Sequence, residues 1–577
     1  MNAPMQRDLL VVNATLVDVI TQTTYRGWFA VRRGRFVEVE AGDPPGVDVL
    51  VADEVLDAEG AHVLPGLLDV HMHIESSLVT PRRFAEAVLP WGTTTVLQDP
   101  HEVGNVLGPK GVVWMIAASR GLPLRVLSAI PSCVPATSPE LETPNARITP
   151  DDVTHLADQP GVVALGEMMD YQGLIAGDVH LQGMLAAGAA AGLSLEGHVP
   201  TLTGPELSRY VAHGIRSDHT LMTPDKLREQ LRKGLWTMVQ EKSLSPELVE
   251  AVMALPDRSR VMLITDDVMP NRLQHGHMSR LVSEAVALGW DPFDAVAAAT
   301  LRPASYLGLD DLGVIAPGKQ ADFLVMRDLV AFPPEVVFRS GERVAEGGRA
   351  RPVAVETPNA PFLASPFRVE RVAAERFALP VAAGAREVQA RVIVVNQVNS
   401  FTTLDERIVR VADGAPLDPD LALATVIPRA ALVDAPPERL EIGLVAGLGL
   451  QRGAWAATFA HDSHNVFVLG RTPRAMEEAL AALLAAGGGM VVVPDEGATP
   501  LTLPLPLAGL LSDEPLDTVA EAFDALETAL RDAGVSVKHP VLLLTLLPLT
   551  VSPAWKLSDK GVVDVAQRRV LPTLIDA

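Results

Sequence analysis

Between Leu64 and Leu307 the chain repeats one rhythm: a short apolar run, a polar or Gly/Pro tip, then a helical stretch. Parallel strands need crossover connections, so a run-tip-helix rhythm reads as successive βα units around a parallel sheet. Eight runs fit it: LPGLLDV before His71, TTTVLQ before Asp99, LRVLSAI before Pro131, GVVALG before Glu167, LSLEG before His198, GIRSD before His219, LWTMVQ before Glu241 and VMLIT before Asp266. Eight units suit a closed (β/α)8 barrel, whose strand ends all open onto one face.

The flanks read differently. LLVVNATLVDV, GWFAVRRG and RFVEVE before Val63, and LGVIAPGKQADFLVM near position 320, are short β-rich runs with turn punctuation. A small β-sandwich domain over residues 1–63 and 308–351 would thus receive strands from both sides of a barrel over 64–307. Residues 352–378, rich in Pro, Ala and Arg, read as a linker, and 379–577 as a second, α+β globular region.

Composition narrows the function. With 71 acidic against 47 basic residues the formal charge is -24, and no Lys/Arg run is present, which disfavours a nucleic-acid polymer and favours a small molecule. The lone cysteine, Cys133, cannot build a thiolate zinc site or an iron-sulfur cluster within one chain, so any metal must be held by His, Asp and Glu. The start lacks a signal-peptide pattern and the longest apolar run, Val541 to Val551, is broken by Pro548; a cytoplasmic protein without a membrane partner is expected, in homo-oligomeric form.

His71-Met72-His73 closes the first run, and period-two alternation points both imidazoles to the same side of the sheet. Glu167, His198, His219 and Asp266 end other runs, and all are residue types that bind divalent metals. Taken singly, each is as well explained as a loop or cap residue; jointly they are enough for two ions. Two metals about 3.5–4 Å apart, bridged by a carboxylate and a water, would bring that water's pKa toward ~7. Asp266 is placed to move its proton, with Asp267 beside it in a supporting role. His101-Glu102 is read evenly as substrate-reaching or as part of an Asp99-Pro100-His101 turn. Glu75-Ser76-Ser77 is read first as a helix cap and second as a partner for a ligand imidazole.

HMHIESS from His71, DPHEVGNV from Asp99, SCVPAT from Ser132, GEMM from Gly166, EGHVP from Glu196, GIRSDH from Gly214, TDD from Thr265 and PGKQADF from Pro317 occur in the order of the bacterial adenine deaminases, a branch of the amidohydrolase superfamily, which the chain resembles. FAHDSHN ending at Asn465, GGGMVVV from Gly487, LPLPLAGLLSD ending at Asp513 and KLSDKGVVDV ending at Val565 are similar to that family's C-terminal domain. The resemblance implies that His71, His73 and Asp266 hold one metal and that Glu167 bridges to a second on His198 and His219. It also implies manganese or iron, with zinc as a competitor, and the hydrolysis of adenine to hypoxanthine and ammonia. Glu167, Asp266, His101 and Glu102 are the catalytic candidates.

The chain departs from the family at Thr220, Gln240, Lys242 and Met269, where the family patterns DHE, REGS and TDDRHP carry other groups. These positions follow the ends of the last three runs, where a pocket would read a purine's rim. A modified aminopurine or a cyclic amide therefore stands as an alternative substrate, and a silent ligand-binding relative as the alternative of another class. The His461-Asp462-Ser463-His464 string is read as a loop packed near the barrel mouth, since adjacency in sequence does not make a catalytic triad in space.

Overall fold

The computed structural model describes residues 7–45, 51–364, 367–369, 371–396, 401–433 and 438–575. Strands Leu67–Met72, Thr93–Gln98, Arg125–Ile130, Val162–Met168 and Ser194–Gly197 form one parallel sheet, and Ser217–Asp218, Trp236–Val239 and Val261–Leu263 a second. The Arg216 amide donates to the Leu195 carbonyl at 3.0 Å, joining the two sheets at one seam. At the other seam the Asp266 amide donates to the His71 carbonyl at 3.1 Å, beside a parallel bridge between Met72 and Asp266. The eight strands thus close into a ring. Its interior is filled by Val70, Leu97, Ala129, Ala164, Met238, Met262 and Ile264, contributed by six of the strands.

Before and after the barrel, the chain builds one nine-stranded sheet. Phe323–Met326 pairs antiparallel with His62–Pro65, so the strand entering the barrel lies beside the strand that follows it. Phe29, Phe36, Phe323 and Phe338 centre its core, with Phe323 stacked on Phe338 at 4.5 Å.

The C-terminal region carries a second nine-stranded sheet between Glu387 and Pro504. Its central strands bury both faces, and their side chains alternate between two cores. Ala454, Ala456, Val491 and Val493 meet the helix Pro473–Ala485, whereas Trp455, Ala457, Met490 and Val492 join a core containing Val519, Phe523 and Leu530 of the helix Leu516–Asp532. That second core continues into the barrel through Leu78, Phe84 and Leu273. Polar contacts fix the register: Thr80 Oγ1 donates to Asp513 at 2.6 Å, and the Ser512 amide to the Leu78 carbonyl at 2.8 Å.

The described residues between 352 and 378 have little regular structure, yet Val353, Leu363 and Phe377 are buried. Among the described residues, no helix is long and apolar enough to cross a membrane.

Candidate metal centre and active site

Period two does what the sequence pattern requires of His71 and His73. Both rings are 2% exposed, and they stand 5.3 Å apart at the C-terminal end of the first barrel strand. The His73 Nδ1–H donates to the Asp99 carbonyl at 3.0 Å, which leaves the Nε2 lone pair facing inward, 3.4 Å from both Glu167 Oε1 and Asp266 Oδ1.

Glu167 is the hub. Its Oε1 lies 3.4 Å from His73, 3.5 Å from His101 Nδ1 and 3.9 Å from His71 Nε2. Its Oε2 lies 2.5 Å from His198 Nδ1 and 3.2 Å from His219 Nε2. Each oxygen therefore faces a different set of imidazoles. Burial pushes the Glu167 carboxyl up, but His219 and His198 reverse this and hold it well below the usual range. The backbone allows the arrangement because position 166 is glycine: a Cβ there would sit 2.0 Å from Asp99 Oδ2, which accepts the Glu167 amide hydrogen bond at 3.1 Å.

Asp266 has a left-handed backbone, φ 59°, at the turn that leaves the last strand. Burial raises its carboxyl, while His73, whose Nε2 stands 3.4 Å away, and the charge of Lys242 hold it well below the usual range. An ionised carboxylate beside imidazoles can ligate a cation or accept a proton.

The donor set fits divalent metals on two observations. His71, His73 and Asp266, and likewise His71, Glu167 and His219, offer ligand atoms all within 4.8 Å of one another. His71 Nε2 and His219 Nδ1 are buried with no hydrogen-bond partner among the described residues, a costly state for imidazole nitrogens unless something else binds them.

The supporting groups differ in part from the sequence expectation. Glu75-Ser76-Ser77 does not cap the next helix: Ile74–Ser77 is its own 3-10 turn, and Pro81–Val88 starts after Thr80. The turn folds Glu75 inward, where burial and Glu102 push its carboxyl up to about 7. Nor does Glu75 orient a ligand imidazole; Glu196 Oε2 stands 3.8 Å from His71 Nδ1 instead, itself held by Ser217 at 3.1 Å and, through Oε1, by Tyr306 at 2.5 Å. Asp267 accepts from Ser76 Oγ at 2.5 Å. Asp69, two positions before His71, turns away from the Glu167 cluster: it accepts from Thr265 Oγ1 at 2.5 Å and lies 3.4 Å from His277 Nε2.

The four departures do not form one rim. The Thr220 hydroxyl donates to Asp218 at 2.9 Å, the Gln240 amide donates to the His219 carbonyl at 2.9 Å, and Met269 is buried in the apolar core. Lys242 is exposed and reaches the site through its charge. The 461–464 loop packs onto the barrel mouth, with His461 Nδ1 at 2.7 Å from Glu102 Oε1.

A model of the amidohydrolase family matches residues 62–344, and one of the adenine deaminase C-terminal domain matches residues 399–569. "Adenine deaminase 2" of Carboxydothermus hydrogenoformans is 38% identical over 93% of this chain and 93% of its own. "Adenine deaminase" of Moorella thermoacetica is 36% identical, covering 98% of this chain and 95% of the relative. "Adenine deaminase 2" of Rhizobium meliloti is 38% identical, with 98% and 94% covered. Near-complete coverage at such identity, over a barrel with this arrangement of side chains, places the chain in the adenine deaminase family.

Proposed function

We propose that this chain hydrolyses the exocyclic C–N bond of adenine, giving hypoxanthine and ammonia, at a pair of divalent metal ions. The observation that carries the reading is Glu167, whose two oxygens face two separate groups of histidines, His71, His73 and His101 on one and the half-buried His198 with His219 on the other. His71, His73 and Asp266 would hold one ion, His198 and His219 the other, and Glu167 both. Nitrogen and carboxylate donors without thiolate suit manganese or iron, with zinc as a competitor. When bound, such ions acidify water toward neutrality and so supply the nucleophile.

The chain's own groups do the rest. Asp266, kept ionised by His73 and Lys242, accepts a proton as oxygen bonds to C6. Of the water's two protons, one ends on ring N1 and the other on the departing amino group, and Asp266 carries the latter as the C–N bond breaks. The hydrogen bond to the Asp99 carbonyl fixes the His73 ring, and Glu196, 3.8 Å from His71 Nδ1, stands behind the other imidazole.

Protein loaded with manganese is expected to convert adenine to hypoxanthine with one ammonia per base, followed by absorbance and by an ammonia assay. Ammonia from another aminopurine but none from adenine would overturn the substrate and leave the chemistry. Absence of bound metal after loading, with no activity, would overturn both.

A further inference from the structure

We infer that the chain holds a further divalent cation, apart from the Glu167 centre, clasped between the barrel and the C-terminal region by Glu102, His461 and Asp462, with His101 completing the set. One ligand atom from each of His101, Glu102, His461 and Asp462 lies within 4.8 Å of all the others, and all four residues are buried. Two come from the start of the barrel helix His101–Leu107 and two from the loop after the strand Ala454–Ala457.

The atoms are close but not paired as hydrogen bonds would pair them. Glu102 Oε1 lies 2.7 Å from His461 Nδ1 and 3.5 Å from His101 Nε2, yet no hydrogen bond of acceptable direction reaches it. His461 Nε2 and Asp462 Oδ2 are likewise buried without a hydrogen-bond partner among the described residues. Buried polar atoms left in this state are destabilising, whereas a cation ligated by Glu102 Oε1, Asp462 and one nitrogen of His461 would satisfy both carboxylates at once.

The surroundings support ligation. The Ala460 amide donates to His464 Nδ1 at 3.0 Å, so His464 carries its proton on Nε2, which meets the other oxygen of Glu102. A neutral imidazole thus fixes the orientation of the carboxylate and leaves Oε1 free to ligate. Phe459 packs edge-on to His461 at 5.1 Å and against His464, covering this side with apolar surface. His101 stands between the two centres, Nε2 toward Glu102 and Nδ1 toward Glu167. Two imidazoles and two carboxylates suit a first-row divalent ion such as manganese, iron or zinc.

The probe is manganese on the full chain, stripped with a chelator, reloaded, gel-filtered and counted by mass spectrometry. Wild type is expected to retain about three ions per chain, and Asp462→Asn and His461→Gln about one fewer each. Crystals of the unsubstituted protein, which avoid any folding defect, should show an anomalous manganese peak touching Glu102 and Asp462. Equal counts in all three proteins, or peaks beside Glu167 alone, would overturn this site and leave the paired-metal reading intact. A peak at Glu102 with none beside Glu167 would do the reverse.

Discussion

The barrel and the C-terminal region use similar materials to opposite ends. In the barrel, parallel strands all finish on one side, so His71, His73, Glu167, His198, His219 and Asp266 meet although up to 195 positions separate them. In the C-terminal region, strands run both ways and their ends are shared between two edges. Its sheet is spent on apolar burial, with Trp455 and Ala456 turning to opposite cores, and among the described residues one loop, 461–464, brings imidazoles to the barrel mouth. Parallel topology concentrates chemistry; antiparallel topology supplies a wall.

The largest expected effect tests the first half of that contrast. Asp266→Asn should lower hypoxanthine formation about a thousandfold in a steady-state absorbance assay, the loss expected for an acid/base group. A variant within threefold of wild type would remove Asp266 from the reaction.

The next tests whether the wall is separable. Phe523 lies in the core shared with Phe84 and Leu273, so Phe523→Ala should cost about 3–5 kcal/mol. Because that core spans both regions, calorimetry should show one transition moved down as a whole. A barrel transition left at its original temperature would show that the two regions melt independently.

A smaller effect sharpens the account of the barrel. Glu196→Gln, by loosening His71, should weaken manganese binding about 10- to 100-fold in a competition titration against a chelator. Unchanged affinity would make Glu196 merely a core residue.

The smallest concerns the seam. Thr137 Oγ1 meets both Glu142 and Thr550, and burial pushes the Glu142 carboxyl up to about 7 from 4.5. The folded state then keeps a proton that the unfolded chain releases near 4.5, so this group's contribution falls as pH rises from there through 7 and is flat above. Glu142→Gln should flatten the decline of melting temperature across that window; an unaltered slope would assign the decline elsewhere.

Much of this was legible in the chain itself. Eight runs with polar ends announced the closed barrel, because the rhythm of strand and crossover helix leaves few other solutions. The gathering of the six side chains followed from where strands end. The surrounding groups were harder to read. Glu75 looked like a cap because Ser and Glu favour helix starts, but a short 3-10 turn ending at the left-handed Leu78 rotates it inward. No local pattern could pair Glu102 with His464, 362 positions away, since that contact depends on how two separately built cores dock.

Asp266 does two jobs with one backbone. Its amide completes the ring of strands against His71, and its carboxylate stands 3.4 Å from His73. During synthesis the cluster therefore stays open until the eighth strand has left the ribosome and docked. On the proposed reading, a nascent chain that lacks the eighth strand also lacks Asp266, and with it both the ring closure and one carboxylate of the centre.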